Sequence, residues 1–140
     1  MNPLKDETVK PLVVLVHEPS FLRFWMERAL GEKFQLHVFS GSDEALAFVR
    51  SISHVEVLIT ELNIASSVVG GCTIAREVGQ RFPKSSILVF SNCASDDHRL
   101  LMLHGMKSVR LLSKPFDAFF LVRHVKNAMA LARKEETNHE

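Results

Sequence analysis

Leu12-Val13-Val14-Leu15-Val16 is a continuous apolar run, rich in β-branched residues, that stops abruptly at His17-Glu18-Pro19-Ser20. A strand that is apolar at every position has no solvent face. The run therefore predicts a strand buried on both sides, as in a parallel sheet covered by helices. Working outward, Val55 to Thr60 and Ser86 to Phe90 read the same way, and Val109 to Leu112 is a shorter strand. Phe34 to Phe39 alternates, with Phe34, Leu36 and Val38 on one side. Between the strands the spacing becomes helical. Pro19-Ser20 opens a helix whose buried stripe is Leu22, Trp25, Met26, Ala29 and Leu30, closed at Gly31. Ser42 precedes a helix with Ala45, Leu46, Phe48, Val49 and Ile52 on its apolar face. After a loop from Asn63 to Gly71, Cys72 to Arg81 buries Ile74, Ala75 and Val78 and ends at Phe82-Pro83. Asp96-Asp97 begins a helix through His104 that Gly105 stops, and a terminal helix runs from about Asp117 to Arg133. Five strand–helix units in alternation predict an open parallel α/β sheet with helices on both faces.

Composition agrees with one domain. The chain has 140 residues, 46% apolar and 24% charged, enough to bury a core without staples. Residues 1–11 are expected to be a flexible N-terminal segment, residues 12–132 the domain, and residues 133–140 a charged tail or linker. With 17 basic and 16 acidic residues the formal net charge is +1, which gives no electrostatic basis for nucleic-acid binding. The two cysteines, Cys72 and Cys93, lack CxxC spacing and are expected to be reduced thiols of a cytoplasmic protein. The polar, acid-containing N-terminus is no signal peptide, and no apolar run near it approaches the ~18 residues of a membrane span.

In an open α/β sheet, ligands bind beyond the carboxyl ends of the strands. The residues that follow the buried strands are His17 and Glu18, then Glu61, then Ser91 and Asn92, then Ser113, Lys114 and Pro115. Singly, each is an ordinary loop residue. Together they set two carboxylates, a hydroxyl and a lysine on one edge, types that hold a divalent cation and a phosphoryl group.

These segments resemble the receiver domain of two-component response regulators, from about Leu12 to Ala132. Glu56-Val-Leu-Ile-Thr-Glu-Leu-Asn-Ile64 is similar to the family's third strand, Asp-Leu-Val-Ile-Thr-Asp-Leu-Arg-Met-Pro. Gly71 to Pro83 is similar to its third helix, and Ile87-Leu-Val-Phe-Ser91 to a fourth strand ending in Ser or Thr. Leu111-Leu-Ser-Lys-Pro-Phe116 resembles the Lys-Pro-Phe end of the fifth strand, the most specific piece. The resemblance implies a flavodoxin-like (βα)5 three-layer sandwich, α/β, with a parallel five-stranded sheet in the order 2-1-3-4-5. It also implies a cis Pro115, Lys114 as the phosphoryl-pairing lysine, and Ser91 with Asn92 in the phosphate pocket.

The other family positions depart. Glu61 stands where the phosphoacceptor Asp belongs, and Leu111 where the aromatic switch residue belongs. Anchoring on Arg23 puts His17 and Glu18 at the family's magnesium-holding acidic pair, whereas anchoring on Pro19 puts Val16 and His17 there. The first is preferred because it also sets Leu22, Trp25 and Met26 on the family's buried stripe. Glu is one methylene longer than Asp, a displacement of about 1 Å, and such misplacements can cost about 100-fold in a positioned reaction. Magnesium wants octahedral oxygen ligands, and His17 offers nitrogen. Weak magnesium binding by Glu18 and Glu61 is the most that is expected, with no other cofactor and no efficient aspartyl-phosphate chemistry. Glu61 is instead expected to reach Lys114, which would imitate a permanently phosphorylated or fixed state.

Leu100 to Leu103, together with Phe116, Phe119, Phe120, Leu121, Val122, Val125, Met129 and Leu131, exceed one buried stripe. In the family, the fourth helix, fifth strand and fifth helix make partner contacts. A signalling protein, an effector domain or a second copy is expected on that face, and neither nucleic acid nor membrane. The leading reading is a pseudo-receiver: a phosphorylation-independent, non-enzymatic interaction module. A working phosphoacceptor with an unusual acidic site is one alternative. A flavodoxin-like small-ligand binder is another, although His17-Glu-Pro-Ser-Phe21 lacks the glycines of a phosphate cradle. The seven histidines show no metalloenzyme spacing.

Overall fold

A computed structural model describes residues 10–62, 70–91, 106, 108–113 and 118–138, with backbone alone at Ser91, Ser113, Ala118, Phe119 and 131–138. Five strands, β1 (Leu12–Val16), β2 (Gln35–Phe39), β3 (Val57–Glu61), β4 (Ser86–Ser91) and β5 (Val109–Ser113), form one parallel sheet in the order β2-β1-β3-β4-β5. Four helices are described: α1 (Phe21–Gly31), α2 (Ser42–Ser51), α3 (Gly71–Arg81) and α4 (Ala118–Asn138). The expected flavodoxin-like fold and strand order are therefore observed.

Alternation along the buried strands divides the core in two. Leu12, Val14, Val16, Leu58, Ile87 and Val89 pack with α2 and α3 residues, including Leu46, Val49, Ile74 and Val78. Val13, Leu15, Val57, Ile59, Leu88 and Phe90 pack with Met26 and Leu30 of α1 and Leu121 and Val125 of α4. Each fully buried side chain of this kind contributes roughly 1.5–3 kcal/mol. Polar ties fix the amino end of the sheet. The Leu12 N–H donates to Glu56 Oε2 at 2.8 Å, Ser85 Oγ donates to the Val55 carbonyl, and Ser86 Oγ donates to the Ala128 carbonyl at 3.1 Å.

Several boundaries differ from the sequence reading, each for a local reason. β3 starts at Val57 rather than Val55, because Glu56 turns its carboxylate back to β1. It continues through Glu61, whose ladder partner is Phe90. α2 starts at Ser42, with Gly41 as its cap. α4 carries on to Asn138, past the expected end at Arg133. Trp25 is not part of the buried stripe of α1: it is 54% exposed, while Met26 and Leu30 are fully buried. It lies on the helical flank that turns away from the sheet. The expected helix from Asp96 to His104, Cys93, and residues 1–9 lie outside the described residues. Among those described, no helix is long and apolar enough to cross a membrane.

α3 docks against the end of β3 through Gly71, whose N–H donates to the Leu62 carbonyl at 3.2 Å. A Cβ there would overlap the Glu61 carbonyl oxygen and lie 2.9 Å from its carbon and 3.1 Å from Leu62 Cα. Backbone cannot give way as a flexible side chain can, so Gly71→Ala is expected to destabilise the fold by about 1–3 kcal/mol. Gly70, where a Cβ meets nothing within 4 Å, is the control. Urea unfolding of Gly71→Ala and Gly70→Ala measures the difference.

Candidate functional site

Register builds the site. Val13, Leu15 and His17 share one face of β1 and its extension, and Val57, Ile59 and Glu61 share the same face of β3. Val13 pairs with Val57, Leu15 with Ile59 and Val16 with Thr60. One further step sets His17 beside Glu61. His17 is 3% exposed, and its N–H still pairs with the Phe39 carbonyl at 3.0 Å, as if β1 ran one residue longer.

A backbone donor and an imidazole nitrogen lie against one carboxylate oxygen. The Glu18 N–H donates to Glu61 Oε1 at 3.0 Å. His17 Nδ1 lies 3.3 Å from the same oxygen and 2.8 Å from the Glu18 carbonyl oxygen. A carbonyl oxygen only accepts, so Nδ1 carries a hydrogen. The ring thus donates to the Glu18 carbonyl, with the Glu61 oxygen alongside the same nitrogen. What Glu18 brings to Glu61 is its backbone N–H. Among the described residues, no group of three or more His, Cys, Asp or Glu side chains is arranged to hold a metal ion.

His17 and Glu18 follow β1 and lie against Glu61, and Val16 is a buried strand residue paired with Thr60. Ser91 ends β4 opposite Ser113 of β5, on the same edge of the sheet. Leu111 pairs with Val89 and is exposed. Asn92, Lys114 and the expected cis Pro115 lie outside the described residues, and so does the expected reach of Glu61 to Lys114.

Arg23 is a site residue that sequence reasoning used only as an alignment anchor. Its Nη1 donates to the His17 carbonyl at 3.1 Å and to Ser40 Oγ at 2.9 Å. It thereby ties the turn after β1 to the turn after β2. Ser20 supports it from below, capping α1 by accepting the Arg23 N–H at 3.0 Å. The available signal was a cation in the first turn, on the flank of an apolar stripe. Arg23→Ala is expected to cost about 1–3 kcal/mol for two hydrogen bonds of a charged donor. It should also broaden or shift the His17 ring resonances in an NMR spectrum, which a remote destabilising substitution would leave in place.

No family sequence profile matches the chain, and no curated protein matches it. Solved structures do. A signal receiver domain of an HD domain-containing protein from Pseudomonas fluorescens superposes with a TM-score of 0.76 at 20% identity, covering 93% of this chain and 94% of that one. A response regulator receiver protein from Sinorhizobium medicae gives 0.76 at 18% identity, covering 91% and 99%. The apo receiver domain of nitrogen regulatory protein C gives 0.69 at 24% identity, covering 86% and 94%. With the strand order, the buried parallel sheet and the strand-end site, these likenesses show that the chain has the fold of response-regulator receiver domains.

Proposed function

We propose that this chain is a receiver-like signalling module that works without phosphotransfer, a cytoplasmic, non-enzymatic interaction domain of a two-component-type pathway. The observation that carries the reading is the state of Glu61. It stands at the phosphoacceptor position, and one of its carboxylate oxygens accepts the Glu18 N–H and faces the His17 Nδ1–H. A phosphoryl-accepting carboxylate must be free to attack, with cations arranged to neutralise the incoming oxygens. Here the neighbouring turn donates a backbone N–H to the carboxylate itself, and an imidazole ring replaces one metal-binding carboxylate.

The partner surface is proposed on the family's face of fourth helix, fifth strand and fifth helix, the last of which is α4 here. Leu111 on β5 and Phe120 in the first turn of α4 are both exposed large apolar residues, which fits docking of a signalling protein or an effector domain. Loss of that docking in Leu111→Ser and Phe120→Ser, with the fold retained, would be the mark of this face.

Acetyl phosphate with magnesium, followed by intact mass measurement, tests the proposal. The expected result is no phosphoryl adduct on the native chain, and an adduct on the His17→Asp/Glu61→Asp variant, which restores the family's residue types. An adduct on the native chain mapping to Glu61 or Glu18 would contradict the proposal and make this a working phosphoacceptor.

A further inference from the structure

α1 carries apolar residues on two opposite sides. Met26 and Leu30 are buried against the sheet, and Leu22 packs beside them. Phe21, Phe24 and Trp25 are 87%, 48% and 54% exposed. At 3.6 residues per turn, Phe21, Phe24, Trp25 and Arg28 form one outward stripe. The stripe is already ordered within the chain. The Phe24 and Trp25 rings meet edge to face at 5.6 Å and 77°, and the Arg28 guanidinium sits 5.6 Å over the Phe24 ring. Nothing in the proposed function uses this surface, and an outward aromatic cluster of this kind is not needed to hold α1 on the sheet.

We propose that this stripe is a self-association surface, and that its occupant is α1 of a second copy of the chain. The order along the stripe is ring, ring, ring, cation, which is complementary to itself when reversed. In an antiparallel two-fold pairing centred between Phe24 and Trp25, Phe24 of one copy faces Trp25 of the other, and Phe21 faces Arg28. Rings then meet rings and each cation meets a ring face, with no like charges opposed. Rings of 150–250 Å² at these exposures offer on the order of 400 Å² per copy. The pairing thus removes roughly 800 Å² in all, less than the ~1,200 Å² of a stable interface. The dimer is accordingly weak and reversible, and it does not depend on how Glu61 behaves.

Trp25 is the chain's single tryptophan, so its emission reports this face alone. Sedimentation velocity of the full chain from micromolar to millimolar concentration, with emission recorded in parallel, tests the proposal. Expected are a rise in mass toward the dimer and a blue shift of the indole over the same range. Phe24→Ser and Phe24→Ser/Trp25→Ser should weaken association at least tenfold while circular dichroism stays unchanged, and Arg28→Glu should weaken it by a smaller factor. A monomer at every concentration overturns the proposal. A dimer undiminished in these variants also overturns it and moves association to another face, such as that of Leu111 and Phe120. A strict monomer whose indole is blue-shifted throughout overturns it in favour of cover from within the same chain.

Discussion

The carboxylate of Glu61 accepts the Glu18 N–H from the turn that follows β1, and the His17 ring lies 3.3 Å from the same oxygen. Hydrogen bonds to a charged group contribute about 1.5–3 kcal/mol each, and leaving a mostly buried carboxylate without them costs as much.

Three features of the fold hold the contact in place. Parallel pairing of β1 with β3 puts His17 and Glu61 on one face, and a slip of one residue would send the ring to the other side of the sheet. Gly71 lets the start of α3 approach the backbone at Glu61, so the Glu61 main chain is wedged between β4 and α3. Arg23 fixes the carbonyl of His17 and, through Ser40, couples it to the next turn of the sheet. Each acts on backbone, so the site is preformed by the scaffold rather than by flexible side chains.

The buried strands were legible because burial on both faces leaves an uninterrupted apolar run, as at Leu12–Val16 and in the core of β3 and β4. Strand ends were less legible. Glu56 reads as part of a strand by its neighbours, yet its side chain bonds the backbone of β1 and delays β3 by two residues. Trp25 fits a buried stripe by spacing alone, and only packing shows that it sits on the flank facing solvent. The positions of His17, Glu18 and Glu61 followed from the rule that sites form at strand ends. What joins them did not, because a ring's direction and a backbone N–H leave no trace in residue type. The role of Arg23 was hidden for the same reason: its partners are a carbonyl and a hydroxyl from two separate turns.

His17 acts as a hydrogen donor through Nδ1, and its ring nitrogens can be read directly. A long-range proton–nitrogen correlation spectrum of the uniformly ¹⁵N-labelled chain, with His17→Gln for assignment, distinguishes the two ring positions. Expected are a protonated Nδ1 in the native chain and a Glu18 amide proton whose resonance moves when Glu61 is replaced by Gln. An unprotonated Nδ1, with the hydrogen on Nε2 and a Glu18 amide indifferent to Glu61→Gln, would contradict this arrangement.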